Sequence, residues 1–85
     1  MVTRKVVAGA EATLTQTYLK RGALVPLHAH PHELMIYVLQ GALRARVRGE
    51  EVTVREGEVL VVAAAEPHQA EALDDSFVMT FAATR

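Results

Sequence analysis

The sequence has no cysteine and no tryptophan among its 85 residues, and only four aromatic side chains, two Tyr and two Phe. Without cysteine, disulfides are excluded and cysteine usage carries no information about the redox compartment. A chain this short buries only ~60–65% of its unfolded surface. Small folds of this size commonly gain extra support from disulfides, metal or oligomerisation. Metal binding and self-association are therefore the two supports left open to this chain.

The sequence also lacks any excess of charge and any long apolar run. Its formal net charge is −1, and the only basic run is Arg44, Arg46 and Arg48, spaced by two. On a strand these three side chains share one face, which is more typical of a solvated sheet surface than of a nucleic-acid footprint. No segment approaches the ~18 apolar residues of a membrane span, and the first residues of the sequence lack the continuous apolar stretch expected of a signal segment. We expect a soluble, cytoplasmic protein with no nucleic-acid or membrane partner.

Short alternating segments separated by turns dominate the chain. Leu43–Arg48 alternates apolar and basic residues, which indicates a strand with one wet face. Gly49-Glu50 predicts a tight hairpin turn, Glu51–Arg55 the returning strand, and Glu56-Gly57 the next turn. No window shows the apolar spacing of an amphipathic helix. About eight short strands with regularly spaced turns predict an all-β fold, a small antiparallel barrel or sandwich, in one domain over 1–85.

Two continuous apolar runs of strand length, Leu34–Leu39 and Glu58–Val62, predict burial on both faces. One face would line the barrel, and the other would meet a second sheet or a second subunit. Thr13–Lys20 is the first predicted strand, and Ser76–Ala82 is the last. A homodimer is expected, with Thr13–Lys20 as the segment that pairs across the interface. Four large side chains could line a cavity or belong to the ordinary core: Tyr37, Phe77, Met79 and Phe81.

The four histidines are the residues that carry chemistry. His28, His30 and His32 fall within five residues, and His68 follows Pro67. On a strand His28 and His30 point to the same face, so both rings can reach one ion at ~2.0–2.1 Å. Neutral imidazole suits Fe, Mn, Ni, Cu and Zn, so the ligands do not select the metal. Spacing alone equally allows surface polarity or a hydrogen-bond network.

Two segments resemble the motifs of the cupin family. Gly22–Gly41, GALVPLHAHPHELMIYVLQG, is similar to the first motif, a Gly, five residues, His-x-His and a closing Gly. Gly57–Ala72, GEVLVVAAAEPHQAEA, is similar to the second, in which Gly57 and His68 are in register. The fifteen residues between the segments match the spacer of compact microbial cupins. The resemblance implies a small double-stranded β-helix of jelly-roll type, commonly dimeric, in which His28, His30 and His68 bind a divalent transition metal.

The chain departs from the cupin motifs at several positions. The fourth metal ligand of the family is a carboxylate, and Leu34 stands in its place. In the second motif Ala63 and Ala65 replace Pro and Gly, and Ala72 replaces the terminal Asn. A site of three histidines remains. It resembles that of cupins such as cysteine dioxygenase and diketone-cleaving enzymes, which hold iron without a carboxylate. The alternative is a vestigial site with weak metal binding or none.

His32 and Glu33 are secondary candidates for catalytic roles. Pro31 interrupts the strand, so we interpret His32 as a residue at the rim of the site that contacts substrate or supports a ligand. Glu33 lies one residue before the ligand position and would point the other way. It could orient a ligand histidine, as carboxylates often do, or remain a solvent-facing charge.

The resemblance implies a metal-dependent enzyme that acts on a small oxygen-bearing substrate, like the cupin dioxygenases, sugar isomerases and uronate ring-opening proteins. No Ser-His-Asp set, phosphate loop or pair of catalytic carboxylates offers another mechanism. The alternative is a non-catalytic cupin that binds or senses a small ligand, because Leu34 makes the site more apolar.

Overall fold

The computed structural model describes residues 2–83, and this part of the chain consists of strands and turns. Nine strands occur in it: β1 (Val2–Ala8), β2 (Ala12–Leu19), β3 (Leu24–His28), β4 (Leu34–Gln40), β5 (Ala42–Val47), β6 (Glu50–Arg55), β7 (Val59–Val62), β8 (His68–Ala72) and β9 (Ser76–Ala83). No helix that could cross a membrane is found in these residues. They form two antiparallel sheets, sheet A in the order β1-β2-β9-β4-β7 and sheet B in the order β3-β8-β5-β6. The all-β prediction is confirmed.

The core lies between the inner faces of the two sheets. Nine buried apolar side chains form it: Leu19, Leu34, Ile36, Val38, Leu43, Val54, Val62, Ala72 and Val78. Most of them are Val or Leu, whose branched side chains pack well on a pleated surface. Each such burial contributes about 1.5–3 kcal/mol relative to exposure in water. The core is small, because one end of the space between the sheets is an open cavity.

The outer face of sheet A is apolar and uncovered. Register places one residue from each strand in a continuous row: Val7, Leu14, Phe81, Met35 and Val61. Met35 is 42% exposed and Val61 is 54% exposed. The burial on both faces that the runs in β4 and β7 predict is therefore not achieved within the chain, and only the inner face of each strand is covered.

The last strand has the two faces that alternation predicts, with the smaller side chains inside. Val78 and Thr80 point toward the space between the sheets, whereas Phe77 and Phe81 are exposed on the outer face of sheet A. Tyr18 packs on Phe77 there, with ring centroids 4.8 Å apart. Tyr37 and Met79 are half-buried, and none of the four large side chains predicted for the cavity or the core is found in the cavity lining or the buried core cluster. Because both faces of this strand are apolar, alternation could not determine which one is buried.

Most predicted strand ends agree with the structure to within one residue, and two differences have a clear physical reason. The β5–β6 turn is Arg48-Gly49, one residue earlier than predicted, and both residues have positive φ, 55° and 75°. This is the pattern of a type I′ hairpin, which matches the twist of the two strands. The other difference is β1, which precedes the first predicted strand. Its Arg4-Lys5 pair obscures any apolar alternation, and β1 forms by pairing with β2 from Val2 to Ala8.

The outer face of sheet B is charged, in agreement with the prediction of a solvated arginine face. The Arg44 guanidinium lies 2.6 Å from a Glu71 carboxylate oxygen and 3.4 Å from one of Glu51. The Glu71 hydrogen bond, then the charges of Glu71 and Glu51, raise the pKa of Arg44. Arg46 also lies near Glu51, at 3.6 Å. These exposed pairs contribute little to stability, because water and salt screen them.

Candidate metal centre

Two neighbouring strands of sheet B bring the two motif segments together. His28 is the last residue of β3, His68 is the first residue of β8, and the two are register partners across the strands. Their ring centroids lie 4.2 Å apart. His30 lies two residues beyond the end of β3, and its ring centroid is 4.9 Å from that of His28 and 5.7 Å from that of His68. His68, which is distant in sequence, thus forms one cluster with His28 and His30.

The backbone of His30 is tied to the loop that leads into His68. The Ala65 amide donates a hydrogen bond of 2.7 Å to the His30 carbonyl oxygen. Ala65 has a φ of 63°, a left-handed conformation that glycine adopts without strain. This is the position at which the second cupin motif has Gly. The loop therefore keeps the conformation that the motif requires even though the glycine has been replaced, at a backbone cost of about 1–2 kcal/mol.

Hydrogen bonds to backbone carbonyls fix the tautomers of two rings. Nδ1 of His28 lies 2.7 Å from the Pro26 carbonyl oxygen, and Nδ1 of His68 lies 3.0 Å from that of Glu66. A carbonyl oxygen can only accept, so each Nδ1 carries the proton. In the neutral form of each ring, Nε2 is then the nitrogen with a free lone pair, which is the tautomer that ligates a metal through Nε2.

The burial of His68 provides the test of whether a metal fits. Its residue surface is 4% exposed, and its Nε2 is buried without a hydrogen-bond partner. An orphaned buried acceptor costs about 1–3 kcal/mol unless another group satisfies it. One potential ligand atom from each of His28, His30 and His68 lies within 4.8 Å of the other two. A divalent ion bound among these three atoms would satisfy Nε2 of His68, so the residues present fit a metal.

The surroundings of His30 favour its neutral imidazole form. Burial, followed by the nearby rings of His28 and His68, lowers the pKa of His30 below its usual range. The neutral ring is the form that binds metal, so this shift favours ligation by His30.

The histidine cluster borders a cavity of about 730 Å³ between the two sheets. Leu34, on β4 of the opposite sheet, lines this cavity together with His28, His30 and His68. It is 5% exposed and belongs to the hydrophobic core as well. The position of the missing carboxylate ligand thus faces the cavity and carries an apolar side chain.

The secondary candidates lie in different places. His32 is half-buried and lines the cavity, as expected for a rim residue. Glu33 is exposed and does not line the cavity. The Nδ1 atoms of His28 and His68 bond to backbone carbonyls, so the orienting contact considered for Glu33 is made by main-chain oxygens instead.

Sequence reasoning missed the polar residues on the sheet A side of the cavity. Arg4 on β1 lines the cavity. So do four threonines on β2 and β9: Thr13, Thr15, Thr17 and Thr80. The sequence does contain a signal for the threonines of β2. Thr13, Thr15 and Thr17 are spaced by two, which puts them on one face of the strand. Arg4 gave no comparable signal, because its strand was not predicted.

Comparison with known proteins agrees with the two motifs. The family model described as the cupin domain matches residues 15–83. The chain belongs to the cupin family. Among curated proteins, no sequence matches this cupin.

Solved structures show the same fold. KdgF from Halomonas sp. is 31% identical, with a TM-score of 0.91 over 99% of this chain and 79% of that one. An RmlC-like cupin from Desulfovibrio desulfuricans is 27% identical, with a TM-score of 0.86 over 96% of this chain and 81% of that one. An RmlC-like cupin from Shewanella frigidimarina is 20% identical, with a TM-score of 0.91 over 99% and 77% of the two chains. This cupin therefore spans most of the length of each relative.

Proposed function

We propose that this cupin is a metal-dependent enzyme that acts on a small oxygen-bearing substrate, with His28, His30 and His68 as the metal ligands. The observation that carries the proposal is the buried, unpartnered Nε2 of His68 beside two rings whose nitrogens lie within 4.8 Å. A bound Fe, Mn, Ni, Cu or Zn ion would supply Lewis-acid polarisation of a carbonyl or hydroxyl oxygen or, as iron or copper, redox chemistry of the dioxygenase kind.

The residues around the cluster suit substrate binding. Leu34 cannot coordinate, so three protein ligands leave positions open for water or substrate, as catalytic metal sites require. The threonine hydroxyls of β2 and β9 can donate to or accept from an oxygen-bearing molecule. His32 is the titratable ring of the cavity that does not belong to the cluster. It is our candidate for holding or moving a proton during the reaction.

Metal analysis of protein purified without an affinity tag or chelator tests the proposal directly. We expect about one divalent transition metal per chain, and less than a tenth of that in His68→Ala, which loses the most buried ligand. His32→Ala is the matched control and should keep its metal. Wild-type protein that remains metal-free after incubation with each of the five ions would contradict the proposal.

Metal binding should fail in acid. Imidazole must lose its proton to bind, and free histidine titrates near ~6.5. The lowered pKa of His30 extends its neutral form somewhat below that value. The pKa of His30 is lower in the folded chain than in the unfolded chain, so the unfolded chain binds the His30 proton first as the pH falls. The metal-free protein therefore loses stability as the pH falls from ~6.5 through the folded pKa. Dialysis at stepped pH followed by metal analysis checks this, and full occupancy below pH ~4 would indicate carboxylate ligands instead.

A non-catalytic ligand-binding role is the second candidate. It is favoured by Leu34, which makes the cavity wall beside the histidines apolar where the family motif has a carboxylate. Apolar cavities with a few polar groups are typical of small-molecule binding sites. Metal content separates the two candidates, because a purified protein with an empty cluster and a bound small molecule would support the binding role.

We also propose that this cupin forms a homodimer through the outer face of sheet A. The row from Val7 to Val61 crosses all five strands, and its largest member is Phe81. The chain exposes 5394 Å², above the ~5000 Å² expected for a compact monomer of its 9.3 kDa mass. β2 is paired on both edges, with β1 and β9, so it cannot pair across an interface as the sequence analysis expected. The outer faces of sheet A in two chains can still pack against each other.

Sedimentation equilibrium at micromolar concentration should give twice the 9.3 kDa chain mass. Phe81→Arg places a charge in the centre of the apolar row and should shift the protein to a single chain mass. Leu24→Arg is the control, because Leu24 is also an exposed apolar side chain but lies on sheet B. A wild-type protein that sediments as a 9.3 kDa species alone would contradict the dimer.

A further inference from the structure

The ionisable side chains found in the cavity lining are all basic. Its lining contains Arg4 and four histidines but no aspartate or glutamate, among the residues that the structure describes. Register places Arg4 opposite Thr17, which is buried, so the arginine is on the inner face of sheet A. Its guanidinium takes part in none of the ion pairs found within residues 2–83. The lining of the cavity thus includes an exposed cation, Arg4, that no carboxylate of the described residues neutralises.

Replacement of the carboxylate ligand by Leu34 makes this imbalance larger. Three neutral imidazoles leave the full double positive charge on a divalent ion, whereas an Asp or Glu ligand would cancel part of it. Together with Arg4, the loaded cavity would carry three positive charges and no negative one. Uncompensated charge in a partly enclosed site is unfavourable, and the field of such a site attracts anions.

We propose that the ligand of this cavity is a small anion, a carboxylate or a similarly charged oxygen compound. Its negative charge takes the place of the missing protein carboxylate, and Arg4 is the residue that selects it. An arginine can donate two parallel hydrogen bonds to a carboxylate, which gives both affinity and orientation. The threonine hydroxyls beside it can bind further oxygens of the same molecule. This inference rests on the proposed metal site and specifies the class of molecule that it accepts.

The test compares an anion with its neutral isostere. Co²⁺ serves as a spectroscopic stand-in for the native ion, and its visible absorption reports changes in coordination. Co²⁺ is first titrated into the protein, and L-lactate or L-lactamide is then added to the loaded form. We expect lactate to bind at least ten times more tightly than lactamide.

Three variants assign the preference to Arg4. Arg4→Gln should weaken lactate binding about tenfold and leave lactamide and Co²⁺ binding unchanged, and Arg4→Lys should keep most of the preference for lactate. Lys5→Gln is the matched control, since it removes the same charge one residue away on the opposite face of β1. It should behave like the wild type.

The outcomes separate this inference from the proposed function. If Co²⁺ does not bind, both fail. If Co²⁺ binds but lactate and lactamide bind equally well, the metal site stands and the anion proposal is overturned. Equal losses in Arg4→Gln and Lys5→Gln would also overturn it, because the preference would then come from overall charge and not from a contact in the cavity.

Discussion

Replacing Leu34 with glutamate is expected to destabilise the metal-free protein and to make its stability strongly dependent on added metal. Leu34 is 5% exposed and packs in the core, so a carboxylate there loses apolar burial and gains an unpaired charge. We expect a loss of about 3 kcal/mol or more, a fall of ~12–24 °C in Tm for a domain of this size. Because Leu34 lines the cavity with the three histidines, the new carboxylate could complete the ligand set, and a divalent ion should reverse most of the loss.

Thermal melting of Leu34→Glu with and without Mn, Fe, Ni, Cu or Zn measures this effect. An ion present at a hundred times its Kd adds ~2.7 kcal/mol to the folded state. Met35→Glu is the control, because Met35 is the next residue on β4 and lies on the outer face of sheet A. Its metal-dependent change in Tm should not exceed that of the wild type. Destabilisation of Leu34→Glu that no metal reverses would indicate that the histidine cluster is vestigial.

Gly41→Ala is expected to have an effect of similar size for a different reason. Gly41 joins β4 to β5 with a φ of 91°, in which an L side chain is strained. An added Cβ would lie 2.5 Å from the Asp75 carbonyl oxygen and closer still to Oγ of Ser76, a fully buried side chain. Backbone strain and the clash together should cost about 3 kcal/mol or more.

Gly22→Ala separates the two contributions in this prediction. Gly22 is the other glycine of the first motif and has a φ of 85°, but a Cβ there would meet no atom within 4 Å. Only the backbone strain remains, so we expect a loss of ~1–2 kcal/mol. Chemical denaturation of both variants checks the difference. Equal losses would mean that the β8–β9 turn moves aside and that the contact with Ser76 does not require glycine.

The motif glycines show how far a sequence pattern can be interpreted. The pattern indicates that Gly22 and Gly41 matter but does not distinguish their reasons. At Gly22 the turn needs only a backbone conformation, whereas at Gly41 a second turn, distant in sequence, approaches the chain. Ala65 shows the converse, because its left-handed conformation survives without glycine and is supported by the hydrogen bond to His30.

The sequence by itself determined the fold class and the composition of the candidate metal centre. Alternation along segments such as Leu43–Arg48 is local, so it predicts strands without knowledge of their partners. The two cupin motifs specified which histidines belong together, since their spacing depends on strand geometry that the family shares. The position of Leu34 at the fourth-ligand site followed from the same register.

Tertiary structure alone decided which faces are buried and what else surrounds the site. Period-two alternation defines two faces of a strand but does not say which one meets the other sheet, and in β9 both faces are apolar. Only the register of five strands aligned Phe81 and Met35 in an exposed row. Arg4 reached the cavity because β1 pairs with β2, a non-local hydrogen-bonding pattern that local sequence does not encode. For the same reason, the absence of Asp and Glu from the cavity lining, among residues 2–83, became visible only when distant strands were brought together.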